Sequence, residues 1–133
     1  MNVALWVVQG IVASIFAYSG TVKATEMKEA IVARGQTGVS WYGLGFIRFI
    51  AVSELFGAAG LILPWLLGIA RVLTPVAALC LSIIMVGAAV SHARLARANA
   101  RRRLRESLNV VTNALIFAGC IFVAVARFTM LGR

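Results

Sequence analysis

The chain has 133 residues, 62% of them hydrophobic and only 13% charged, with a formal net charge of +9 and a mean hydropathy of +0.95. A soluble domain of this length is nearer half apolar and about a quarter charged, so the balance excludes an ordinary soluble fold. Continuously apolar runs, not alternating ones, also exclude the strands of a membrane β-barrel.

The excess of apolar residues falls into four runs of spanning length, roughly residues 3–22, 43–64, 69–91 and 108–128. They predict an all-α polytopic membrane protein, with the whole chain forming one antiparallel four-helix transmembrane bundle. The first run lacks a basic start and passes into Lys23 without a small-residue cleavage site, so it reads as a span and not a cleaved signal. Within it Gln9, Ala13, Phe16, Gly20 and Lys23 recur at helical spacing. A stripe with an amide at one end and a lysine at the other predicts the inward face.

Residues 25–42 leave the hydrocarbon. Thr25 reads as an N-cap and Gly35 as the residue just past a helix end. Met27, Ala30 and Ile31 share a face between them, which predicts a short amphipathic helix lying on the membrane surface. Gly35, Gly38 and Ser40 make a turn, and Trp41 and Tyr42 anchor the next span at the interface.

The second span carries Arg48 and Glu54. Glu54 lies about eleven residues from one end, roughly 16 Å deep and close to the midplane of a ~30 Å hydrocarbon core. A carboxylate there costs several kcal/mol unless paired, hydrated or protonated. It should therefore face the bundle interior, with Arg48, Lys23 and Asn113 as its candidate partners. Gly57 and Ala58 on the same face leave room for a neighbouring helix and for a pocket. Pro64 and Trp65 close the span, and the short connector after them makes spans two and three antiparallel neighbours.

Pro75 sits early in the third span, where its missing N–H costs least. The span ends at His92, the only histidine. Without Cys, Asp or Glu beside it, it reads as an interfacial hydrogen-bonder, and no metal site is expected. Arg94, Arg97, Arg101 and Arg105, with Arg102 and Arg103 between them, recur in an alanine-rich stretch. They predict a helix leaving the membrane with an arginine face, suited to anionic lipid headgroups or a partner protein. In the fourth span Asn109, Asn113, Cys120 and Arg127 fall on nearly one line.

Lys and Arg cluster at one end of the spans: Lys23, Lys28, Arg34 and the arginines from Arg94 to Arg105, against Arg71, Arg127 and Arg133 at the other. The positive-inside rule then puts both long connectors in the cytoplasm and both termini outside. The basic charge lies in connectors between apolar spans, so it points to lipid and topology, not to nucleic acid. Cys80 and Cys120 form no CxxC pair and read as buried, reduced thiols.

The order of these features resembles the DoxX/DoxX-like family of small bacterial four-span membrane proteins. The residues that carry the resemblance are Ser19, Gly20 and Lys23, then Arg48, Glu54, Gly57, Pro64 and Pro75, and the Met85 to Ala89 run leading to His92. The resemblance implies a four-helix bundle in a bacterial inner membrane. It also implies an association with quinol or thiol redox systems, or assistance to other membrane proteins. Glu54, Arg48, Lys23, Asn113, Asn109 and His92 then form the candidate polar site. They are expected to hold a quinone-like molecule or a lipid, in a redox-associated accessory subunit. The alternatives are a non-enzymatic assembly or lipid-binding protein, acting on another membrane protein or by self-association, and a small transporter using Glu54 as a proton-coupled acid.

Overall fold

The computed structural model describes residues 2–133, and every regular element among them is helical. Four long helices, α1 (Asn2–Thr25), α3 (Leu44–Leu67), α4 (Leu73–Ala98) and α5 (Arg103–Leu131), are each long and apolar enough to cross a membrane. This is a multi-pass membrane protein built as a four-helix bundle. Inside lipid an apolar backbone can satisfy its polar groups only within its own helix. The hydroxyls obey the same demand: Ser14, Thr21, Ser53 and Thr112 each donate to the carbonyl four residues earlier, at 2.7 to 2.9 Å. Pro64 lies in the last turn of α3 and Pro75 in the first turn of α4, so neither interrupts a span.

The helices pack in a ring, α1 against α3 and α5, and α4 against the same two. Leu5, Val12, Phe16, Leu61, Leu81 and Val123 form the core between them. Val3, Phe56, Ile83 and Leu115 point outward and are well exposed, as lipid-facing side chains should be. The expected inward stripe of α1 is buried along its whole length, from Gln9 to Lys23. Gly20 explains how α1 comes so near α3. A Cβ there would lie 2.9 Å from Leu55 Cγ and 3.0 Å from the Ala51 carbonyl oxygen.

The first connector holds α2 (Lys28–Ala33) and a tight turn at Thr37–Val39. Two expectations change here. Thr25 does not cap α2; it belongs to the last turn of α1, where its hydroxyl donates to Thr21 O at 2.7 Å. Met27 occupies the cap position and is 61% exposed. Ile31 is fully buried in a small core with Val22, Val39 and Ile47, which fastens α2 over the end of α1. Gly35 does follow the helix as expected, at φ +95°, with its N–H on Val32 O at 3.0 Å and that of Gln36 on Ile31 O at 3.3 Å. That is the paired closure a left-handed residue permits at a helix end.

The arginine stretch is not one continuous helix. α4 runs on past the expected boundary to Ala98, then breaks at Asn99 (φ −137°, ψ 106°). Asn99 Oδ1 accepts from Arg101 N at 3.1 Å, which fixes a tight turn over Ala100–Arg102 before α5 begins at Arg103. Arg94 and Arg97 therefore end α4, Arg101 and Arg102 form the turn, and Arg103 and Arg105 start α5, all exposed. Cations suit a helix C-terminus and burden an N-terminus. Glu106, in the first turn of α5, offsets that burden.

Candidate functional site

One buried ion pair, one buried imidazole–carboxylate pair and a cavity occupy the connector end of the bundle. Lys23 Nζ lies 2.8 Å from Glu54 Oε1 and 3.1 Å from Oε2, and it also donates to Ser19 Oγ at 2.7 Å. Glu54 is completely buried and Lys23 nearly so. The pair forms because Gly20 brings α1 onto α3, and Lys23 follows almost one turn later on the same face.

The second pair joins α4 to α5. His92 Nδ1 lies 2.7 Å from Glu106 Oε2, and Thr37 Oγ1 sits 2.8 and 2.9 Å from the two carboxylate oxygens. Asn109 Nδ2 donates to the same carboxylate at 3.3 Å. Thr37 comes from the turn of the first connector, so this cluster ties the connector down over the α4–α5 hairpin. The sequence reading of His92 as a lone interfacial residue is corrected: it is buried, and a carboxylate meets it.

Between the pairs lies a cavity of about 480 Å³. Phe16, Ile84, Met85 and Ile116 make its apolar wall, and Ser19, Lys23, Glu54, His92, Asn109 and Asn113 supply its polar groups. α3 and α4 touch closely toward the other end, where a Cβ at Gly57 would lie 2.5 Å from Leu81 Cδ2 and one at Gly60 would lie 2.9 Å from Ala77 Cβ. They part toward the connector and are joined again by Tyr42 Oη and Ser91 Oγ at 3.2 Å. Phe46, Phe49 and Ile83 line this gap while remaining exposed, so the cavity borders on lipid.

Arg48 is not beside Glu54. It donates to the carbonyl oxygen of Lys23, one of the carbonyls that a helix end leaves without a partner. Asn113 stands in the cavity wall.

A sequence model described as the DoxX-like family matches residues 7–123. The chain belongs to the DoxX-like family. No curated protein and no solved structure matches it. The matched stretch of this DoxX-like protein contains both buried pairs and every residue of the cavity wall.

Arg127 lies beyond that match, at the far end of the bundle. Its Nε and Nη2 donate to Gln9 Oε1 at 2.9 and 2.8 Å. Gln9 in turn donates to the Leu61 carbonyl oxygen. The guanidinium stacks between Trp6 and Trp65, 4.8 and 4.2 Å from their ring centroids. These tryptophans make a cage for a buried cation that has no carboxylate partner among the described residues. In the first connector Glu26 accepts from Arg34 Nε at 2.7 Å. That hydrogen bond, with the carboxylate charge behind it, raises the Arg34 pKa further.

Cys80 and Cys120 are both free thiols. Cys120 is buried as expected; Cys80 is exposed on the outer surface of α4, against expectation.

Glu106 and Thr37 were missed from the sequence. Glu106 could have been found. It precedes Asn113, Cys120 and Arg127 at seven-residue steps, so it begins the very stripe that those residues define. Thr37 had no such signal, because a turn has no periodicity to read.

Proposed function

We propose that this protein binds a lipophilic molecule with a ring carbonyl or hydroxyl, a quinone or a close relative, and acts as a redox-associated membrane subunit. The observation that carries the reading is the cavity, about 480 Å³ of largely apolar space with an ammonium, a carboxylate, an imidazole and three amides in its wall. Ligand sites combine that volume with just such a small set of placed polar groups. The donors fit the proposed guest: Lys23, Asn109 and Asn113 suit a carbonyl oxygen, while Glu54 and His92 accept from a hydroxyl. The gap bordered by Phe46, Phe49 and Ile83 suits an apolar tail reaching into lipid.

Purification in native-lipid nanodiscs followed by mass spectrometry of the extract tests this. A quinone-like species at near-stoichiometric amount is the expected result. An extract holding bulk phospholipid alone would count against it.

A second reading, a partner-binding assembly protein, is favoured by the six exposed arginines at the α4–α5 tip. Stoichiometric co-purification of an acidic membrane protein, lost when those arginines are changed to glutamine, would support it.

The orientation proposed is that of a bacterial inner-membrane protein with its connectors cytoplasmic and both termini outside. The arginine tip, Lys28 and Arg34 lie at one end, and the exposed basic residues at the other are Arg71 and Arg133. With Arg127 caged inside the bundle, the exposed contrast is sharper than a plain count of residues suggests.

A further inference from the structure

The imidazole in the cavity wall is held in a particular posture. Both hydrogen-bond contacts of the His92 ring are made by Nδ1, to Glu106 Oε2 at 2.7 Å and to Thr37 Oγ1 at 3.4 Å. The Glu106 carboxylate acts here only as an acceptor, for Thr37, Asn109 and His92. The ring proton therefore sits on Nδ1, and the lone pair is on Nε2. Gly38 lies over the imidazole face, where a Cβ would be 3.0 Å from Nε2 and 3.3 Å from both Cδ2 and Cε1. Gly38 and His92 both line the cavity. Among the described residues Nε2 has no hydrogen-bond partner, and it is not sealed from its surroundings, so it is open to an occupant.

We infer that His92 Nε2 accepts the proton of a hydroxyl group on the cavity's occupant, with Glu106 as the positioning residue, so that the site takes a lipophilic phenol or hydroquinone and ionises it. The inference rests on the cavity-binding reading above and adds the group that handles the proton. In the transfer the ligand O–H bond breaks and an Nε2–H bond forms. The electron pair of the O–H bond stays on the ligand oxygen. The imidazolium so formed faces the Glu106 carboxylate, which is already in place to stabilise it.

The other charged and titratable groups around the ring suit this direction. Lys23 stands in the cavity wall from α1, paired with Glu54 from α3. Arg105 precedes Glu106 on α5, with its Nη2 3.4 Å from where a Gly35 Cβ would be. Tyr42, at the approach to α3, is engaged with Ser91. Lys23 is the cation in the cavity wall, and a cation near a developing oxyanion favours it. A histidine with only a structural task would need its Nδ1 bond and no opening at Nε2.

The test uses the full chain in nanodiscs and an alkyl-chain nitrophenol, whose ionised form absorbs visible light. The bound probe should ionise more readily than in protein-free nanodiscs, by roughly tenfold in its ionisation constant. Whatever probe His92→Gln still holds should lose that gain. Gly38→Ala, whose Cβ presses on the imidazole face and shifts the ring, should reduce it as well. It serves as the test if His92→Gln fails to fold. A short-chain quinone, which has no proton to give, should bind the wild type and reports whether the cavity is occupied. If the nitrophenol binds but ionises equally in all three proteins, the inference is overturned and the cavity reading stands. Binding of the quinone with exclusion of the nitrophenol would also overturn it. If neither molecule binds, the cavity reading fails and takes this inference with it.

Discussion

Lys23–Glu54 and His92–Glu106 are both buried, yet they should respond differently to loss of a carboxylate charge. Glu54→Gln leaves the Lys23 ammonium in a nearly dry site, and breaking such a pair costs about 3–5 kcal/mol. Unfolding in bicelles should show a loss of that order, and Lys23→Met added to Glu54→Gln should recover most of it. If Glu54→Gln proves as stable as the wild type and merely fails to bind ligand, Glu54 is a protonated ligand group instead. Glu106→Gln keeps an acceptor for His92 Nδ1 and Thr37, so its loss should be nearer 1 kcal/mol. Arg127→Lys keeps the charge at the far end but not the planar fork stacked between two indoles. About 2 kcal/mol should go with it, with a shift in tryptophan fluorescence as the sandwich opens. The Lys23 partnership was legible in the sequence, because a midplane carboxylate needs a cation and Lys23 ends the inward stripe. Arg48 misled because nearness in sequence was weighed against direction: it lies about a third of a turn from Glu54, and a free carbonyl at the end of α1 claims it first.

Among the helices the fit of α1 against α3 is the most exposed to a single change. Gly20→Val would drive side-chain atoms into Leu55 and the Ala51 carbonyl, and overpacking of this kind costs typically about 1–3 kcal/mol. Gly10→Ala is the matching control. Nothing lies within 4 Å of a Cβ at that position, so the variant should be neutral or gain up to about 1 kcal/mol in helix propensity. Thermal unfolding of the two side by side separates packing from propensity. The span helices were legible because continuous apolarity leaves the backbone no other structure. Their ends were not. α4 and α5 extend past the hydrocarbon on alanine and arginine, good helix formers in water as well as lipid, so hydropathy set the boundaries too far inside. Asn99, with a side chain that competes for backbone hydrogen bonds, was the available sign that the arginine helix breaks.

Across the whole molecule, charge and packing divide the bundle the same way. Of its four acids, Glu26, Glu29 and Glu106 are at the connector end and Glu54 is near mid-depth. The opposite end holds Arg71, Arg127 and Arg133 alone. Single cysteines placed by Arg71→Cys and Arg101→Cys, in a Cys80→Ser, Cys120→Ser background, test the orientation. An impermeant thiol reagent should label the first in intact cells and the second only after permeabilisation; the reverse pattern would invert the topology. The serine background should fold normally, since both native thiols are free and Cys80 faces outward. The bundle was legible at this scale, because four apolar spans joined in chain order can pack in few ways. A pocket beside Glu54 was legible too, but not its position: Gly57, expected to leave room for it, packs against Leu81, and the space opens where α3 and α4 separate on the connector side, a distance no residue pattern states. That separation decides how occupancy must be measured. A guest entering beside Phe46, Phe49 and Ile83 would arrive from the acyl chains, having first dissolved in them. Its controlling concentration is then moles per mole of lipid, not moles per litre of buffer. Adding empty vesicles at constant total guest and constant volume should strip the site, although nothing in the aqueous phase competes for it.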